Sequence, residues 1–171
     1  MKSLKGLIPA IIALVFLGGC ETTDNEPDLP DPYLDSYADV EECLSFSLLK
    51  DSQPGPNQSC VSFSYDGDSL LSIIHYNSAF NCCPEKVLTT FELRNDTILI
   101  TEDDSLQLCR CNCLFNVDMK IHNLPPSEYV MIIREPYVDQ EDQIFVIDLD
   151  LENMRAGQVC KYRDFYPWHE L

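Results

Sequence analysis

Beyond residue 42 the chain alternates apolar and polar positions with a period of two, the spacing of side chains on a half-buried strand. Between 113 and 122 the odd positions Cys113, Phe115, Val117, Met119 and Ile121 are apolar, whereas Asn116, Asp118, Lys120 and His122 take the other face. Phe145, Ile147, Leu149 and Leu151 alternate in the same way with Asp148, Asp150 and Glu152. Comparable runs predict strands at 43–49, 60–66, 69–76, 86–93, 97–102, 129–134 and 158–163. Asp66-Gly67 and Asn95-Asp96 fall between such runs, where a hairpin needs residues that tolerate positive φ. Helical periodicity is confined to the N-terminal leader, so the pattern predicts an all-β chain folded as an antiparallel β-sandwich.

One segment sharpens that expectation. Leu124-Pro125-Pro126-Ser127-Glu128-Tyr129-Val130-Met131 resembles the leucine, turn, tyrosine, strand segment of immunoglobulin-like and fibronectin type III domains. The resemblance implies that Tyr129 is a structural corner whose hydroxyl ties back to the preceding turn; the alternative is an ordinary aromatic at a strand start.

The N terminus carries Lys2 and Lys5, then an apolar run of 11 residues from Leu7 to Leu17. A bilayer-spanning helix needs about 20 apolar residues, so this run reads as a cleaved signal helix. Leu17-Gly18-Gly19-Cys20 resembles a bacterial lipobox, although Gly18 is a less usual occupant of its position. The resemblance implies that residues 1–19 are removed, that Cys20 is lipidated, and that the acyl chains hold the protein on a membrane. Residues 21–42 then hold nine acidic residues and Pro27, Pro30 and Pro32 without a lysine or arginine, a composition that predicts an acidic tether over 20–42. An acidic stretch directly after the lipidated cysteine also resembles the surface-export signals of Bacteroidetes lipoproteins. The expected localisation is therefore the bacterial cell envelope, on the outer membrane and surface-exposed, with one domain over 43–171.

Composition narrows the partners and the chemistry. The formal net charge is −18, and losing the two leader lysines takes it to −20. Such a field repels nucleic acid, which is excluded as a partner, and the protein or glycan partner stays unassigned. Besides Cys20 there are eight cysteines: Cys43, Cys60, Cys82, Cys83, Cys109, Cys111, Cys113 and Cys160. On an exported chain an even count reads as a disulfide framework. Cys109, Cys111 and Cys113 are expected at alternate positions of one strand, on the core face with Phe115 and Val117. Parallel Cβ vectors about 6.5 to 7 Å apart would keep these three from pairing with one another. Among 105 possible pairings the economical one joins Cys82 and Cys83 to two of the three, gives the third to Cys160, and leaves Cys43 with Cys60.

Other chemistries compete for these residues. His75 with Cys82, Cys83, Cys109, Cys111 and Cys113 could build a tetrahedral site for zinc or a softer one for copper, but the spacing lacks a CxxC pair and exported thiols oxidise. Gly67-Asp68-Ser69-Leu70 spells the nucleophile block of GDSL-type hydrolases. Those enzymes need a late Asp-x-x-His pair, whereas Asp164 and His169 are five apart, so Ser69 reads as part of a turn. The acid clusters Glu102-Asp103-Asp104 and Asp139 to Asp142 could offer oxygens to calcium, or be solvated loops. Phe165-Tyr166-Pro167-Trp168 reads as an aromatic plug at one end of the sandwich or as an exposed contact patch.

The mature chain also resembles a group of uncharacterised, cysteine-rich lipoproteins of Bacteroidetes-type bacteria, through His75-Tyr76-Asn77, Phe80-Asn81-Cys82-Cys83, Cys109-Arg110-Cys111-Asn112-Cys113-Leu114-Phe115, Leu124 to Val130 and Tyr166-Pro167-Trp168. That resemblance implies a shared fold and anchor and no known reaction. The sequence therefore predicts a lipid-anchored, non-enzymatic binding or structural module, without a cofactor. A metal-binding lipoprotein is the alternative, and a GDSL-like esterase a distant third.

Overall fold

A computed structural model describes residues 30–38, 43–44, 54–104 and 109–168. The leader, Cys20 and most of the expected strand at 43–49 lie outside the described residues. Among the described residues nine strands run in chain order: β1 (Tyr33–Ala38), β2 (Gln58–Tyr65), β3 (Leu71–Asn81), β4 (Leu88–Arg94), β5 (Thr97–Asp103), β6 (Asn112–His122), β7 (Glu128–Arg134), β8 (Phe145–Asp150) and β9 (Ala156–Tyr162), with a 3₁₀ turn at Glu141–Gln143 before β8.

The strands form two sheets, ordered β1-β6-β3-β2-β9 and β4-β5-β7-β8. Their apolar faces meet in one core: Val61, Phe63, Leu71, Ile73, Phe115, Val117, Met119 and Ile121 from the first sheet against Ile98, Ile100, Met131, Ile133, Phe145, Ile147 and Leu149 from the second. This is the β-sandwich that the period-two pattern predicts. One pair departs from the antiparallel expectation, because β5 and β7 run parallel, with Thr97 opposite Val130 and Thr101 opposite Arg134. Parallel neighbours cannot be joined by a tight hairpin, and here the chain crosses to the other sheet as β6 before returning.

The hairpins follow the turn chemistry. Gly67 and Asn95 both have positive φ, at 97° and 55°. Asp66 Oδ1 accepts the backbone N–H groups of Asp68, Ser69 and Leu70, which holds the Asp66 carboxyl below the usual carboxylate range. Ser69 thus sits in the β2–β3 turn, where its carbonyl accepts the N–H of Leu124. Tyr129 opens the inward face of β7 and its hydroxyl donates to the Pro125 carbonyl at 3.1 Å, the corner bond anticipated for it.

Residues 33–38, placed in the tether by their composition, form edge strand β1 on β6, from Tyr33 opposite His122 to Ala38 opposite Val117. An edge strand needs only one buried face, and Leu34 and Ala38 supply it against the core while the acids stay in water. The ordered domain therefore starts ahead of residue 43. Among the described residues no helix is long and apolar enough to cross a membrane.

Candidate functional site

Inward positions stop being apolar at one end of the sandwich. On β3 the series Leu71, Ile73 ends in His75; on β5 Ile98, Ile100 ends in Glu102; on β7 Met131, Ile133 is followed by Glu135 just past the strand; on β2 Phe63, Val61 ends in Ser59. The chain after β9 adds Arg163. Ser59, His75, Ser78 and Arg163 are fully buried, and Glu102 and Glu135 nearly so. Charged groups in a dry core persist only when paired, and these are.

A β-bulge assembles the cluster. Between His75 and Ser78 the β3–β6 register slips, so Tyr76 and Asn77 together oppose one residue of β6. Asn77 takes a positive φ of 56°, a conformation asparagine tolerates better than most residues. The extra residue resets side-chain parity, and both His75 and Ser78 then face inward onto the same carboxylate. Glu102 Oε1 lies 2.9 Å from His75 Nδ1, and Ser78 Oγ donates to Glu102 Oε2 at 2.7 Å.

The other ring nitrogen, His75 Nε2, lies 3.0 Å from Ser59 Oγ and 3.4 Å from Glu135 Oε1. Arg163 Nη2 donates to Glu135 Oε2 at 2.5 Å, and Nη1 to the Gln143 carbonyl at 2.9 Å. Aromatic rings wall the site. Phe145 meets the His75 ring edge-on at 5.3 Å, and the Arg163 guanidinium lies 5.0 Å from the Trp168 ring and 5.5 Å from Phe145. Burial alone would lower the His75 pKa, but Glu102 and Glu135 outweigh it and the net direction is upward. Burial raises the pKa of Glu135 against the opposing pull of His75 and Arg163.

Ser59, His75 and Glu102 stand in the hydrogen-bond order of a nucleophile, base and acid relay. In this packing the hydroxyl has no solvent access, and the Glu135 carboxylate beside the same imidazole nitrogen would oppose an oxyanion. His75, Glu102 and Glu135 also offer three ligand atoms within 4.8 Å of one another. The two carboxylates, however, address opposite nitrogens of the ring, and a cation would have to share Glu135 with the Arg163 guanidinium. That arrangement is suited to a proton.

The cysteines expected to join His75 in a metal site are instead paired with one another or with Cys43 in disulfides. Four disulfides link Cys43 to Cys113, Cys60 to Cys160, Cys82 to Cys111 and Cys83 to Cys109. Cys82 and Cys83 do take two of the three clustered cysteines. The other two expected bridges are replaced: the third clustered cysteine, Cys113, takes Cys43 and not Cys160, and Cys60 takes Cys160 and not Cys43. Cys60 and Cys160 face each other across the β2–β9 ladder with Cα atoms 4.0 Å apart, and the Leu44 N–H bonds to the Leu114 carbonyl, bringing Cys43 beside Cys113.

Cys109 and Cys111 also differ from expectation, because β6 begins at Asn112 and only Cys113 is buried on the core face. Asn81 draws the preceding segment aside. Its Oδ1 accepts the N–H groups of Cys83 and Cys109, and its Nδ2 donates to the Cys109 carbonyl at 2.7 Å. With Asn81 opposite Asn112 in the ladder, Cys82 and Cys111 are the next facing pair.

The remaining candidates have structural surroundings. Asp104 is buried, accepting the Asn81 N–H and the Tyr137 hydroxyl. Glu141 and Asp142 lie exposed in the 3₁₀ turn. Trp168 is buried against Phe165, Ala79 and Leu114, while Tyr166 is exposed, so the terminal cluster is a plug with one outward ring. Glu135 and Arg163 carried no signal at the sequence level beyond parity, Glu135 sharing that of Met131 and Ile133. Comparison with family models, curated proteins and solved structures finds no match for this chain.

Proposed function

We propose that this disulfide-stabilised β-sandwich is the folded domain of a lipid-anchored lipoprotein of a bacterial cell envelope, serving as a non-enzymatic binding or structural module. The observation that carries the reading is the cysteine balance. Eight of the nine cysteines are consumed in four disulfides, and the one left over is Cys20, at the lipobox position. Four disulfides suit an oxidising compartment, and an odd cysteine at the end of a short apolar leader suits acylation. Two or three acyl chains on Cys20 would make attachment effectively permanent, whereas one alone anchors only marginally.

Metabolic labelling with a radioactive fatty acid, followed by detergent phase separation, tests the anchor. The native chain incorporates label and partitions into the detergent phase, whereas Cys20→Ser does neither and accumulates as soluble or unprocessed protein. A Cys20→Ser variant that is cleaved normally and remains membrane-bound would overturn the reading.

A further inference from the structure

The buried cluster contains two carboxylates, Glu102 and Glu135, one guanidinium, Arg163, and one imidazole, His75. With both carboxylates ionised and His75 neutral it carries a net charge of −1 in a dry core; with both ionised and an imidazolium it is balanced. Geometry distinguishes the two states. A neutral imidazole offers one N–H, yet both ring nitrogens face a carboxylate oxygen: Nδ1 lies 2.9 Å from Glu102 Oε1 and Nε2 lies 3.4 Å from Glu135 Oε1, while the Ser59 hydroxyl, 3.0 Å from Nε2, can donate or accept. Glu135 Oε1 is also fully buried without a hydrogen-bond partner. In the neutral form with the proton on Nδ1, the bare Nε2 lone pair would face that uncompensated oxygen at 3.4 Å. A proton on Nε2 removes the conflict.

The groups belong to different layers. His75 and Arg163 come from the sheet that holds β3 and β9, whereas Glu102 and Glu135 come from the sheet that holds β5 and β7. We propose that His75 is held doubly protonated at neutral pH, so that a charge-balanced buried clamp fastens the two sheets at the Trp168 end, and that alkaline pH releases it.

The neighbours are accounted for on every side. Ser59 on β2 and Ser78 on β3 present hydroxyls, β8 presents the Phe145 ring, and Lys161 on β9 places its ammonium 5.9 Å from the centre of that ring. Asp104 and Tyr137 pair with each other in the adjacent layer. The sign follows from the direction of the histidine shift, which is upward. A group whose folded pKa is raised contributes stability that is complete below its unfolded value, about 6.5, and is lost as pH rises through the folded value. The domain therefore tightens in mild acid and loosens in base.

Imidazole nitrogen chemical shifts by NMR test this on the intact domain, with His122→Gln and His169→Gln assigning the three histidines. The expected result is a His75 ring with both nitrogens protonated at pH 7 that does not titrate near 6.5. Glu135→Gln should turn His75 into a neutral tautomer at pH 7, a change that loss of packing alone would not produce. If that variant fails to fold, the native spectrum decides by itself. A neutral His75 at pH 7 overturns the proposal, as does a ring that becomes N-metallated when zinc is added to the metal-free protein.

Discussion

Arg163 and Glu135 share a hydrogen bond of 2.5 Å with both side chains wholly excluded from solvent, joining the chain just past β9 to the chain just past β7. Breaking a buried pair by removing one partner leaves the other charge uncompensated and typically costs about 3 to 5 kcal/mol, whereas removing both is far milder. Arg163→Met and Glu135→Gln are each expected to destabilise the domain on that scale. The double variant, in which His75 and Glu102 remain as a balanced pair, should lose less than the sum by at least about 1 kcal/mol. Urea unfolding of the four proteins closes the cycle, and additive losses would mean that the pair is energetically uncoupled.

The Cys60–Cys160 bridge spans 100 residues of sequence between directly opposed strand positions, so it restricts the unfolded chain strongly. Its removal as Cys60→Ala with Cys160→Ala should cost about 2 to 5 kcal/mol. Alkylation of the purified protein without reduction should modify none of the eight domain cysteines. Peptide mass mapping should return Cys43 with Cys113, Cys82 with Cys111 and Cys83 with Cys109 alongside it; a Cys43–Cys60 peptide would contradict the observed pairing.

Two tyrosine hydroxyls hold the turn between β6 and β7. Tyr129 donates to the Pro125 carbonyl, and Tyr65 lies 2.9 Å from the Leu124 carbonyl and 2.6 Å from that of Asp68. Desolvation, with Asp66 adding to it, pushes the Tyr65 pKa up to about 12. Since the unfolded value is about 10, the folded state keeps this proton longer, and the associated stability is complete below pH 10 and lost as pH rises towards 12. Ultraviolet titration of Tyr65→Phe should therefore remove a phenol that ionises late, and Tyr129→Phe should lower stability by about 0.5 to 1.5 kcal/mol.

The strands were legible because each needs only local alternation: Ile98, Ile100 and Met131, Ile133 announce their faces by parity alone. Parity also contained the buried cluster. Glu102 shares its face with Ile98 and Ile100, yet inside Glu102-Asp103-Asp104 it reads as one acid of a solvated run. What makes it a core residue is the presence of His75 opposite, itself beside Glu135 and, through Glu135, tied to Arg163, and those contacts span 27 to 60 positions of chain that no local pattern encodes. The partners of Cys43, Cys60, Cys113 and Cys160 failed for the same reason, whereas those of Cys82 and Cys83 held. Cys82 and Cys83 have neighbours set by the β3–β6 ladder, whereas Cys60 and Cys160 meet only because β9 adds to the far side of β2. Strand β1 was hidden by its acids, since composition reports solvent exposure and an edge strand is mostly exposed.

Asn77 is the residue on which the bulge, and with it the cluster, depends. Its positive φ is matched by three roles: its Nδ2 donates to the Gly55 and Gln58 carbonyls at 2.9 and 2.7 Å, and its own carbonyl accepts the Trp168 indole N–H at 2.8 Å. Glycine would relax the backbone but lose the amide bonds; alanine would lose the bonds and also strain the backbone. Each lost bond is worth about 1 kcal/mol and left-handed strain about 1 to 2 kcal/mol, so Asn77→Ala should destabilise more than Asn77→Gly. If the bulge relaxes, Ser78 turns away from Glu102, and the His75 imidazole resonances should move in Asn77→Ala more than in Asn77→Gly. Equal losses in the two variants, with His75 unmoved, would mean that the side-chain bonds alone matter and that the positive φ is carried without strain.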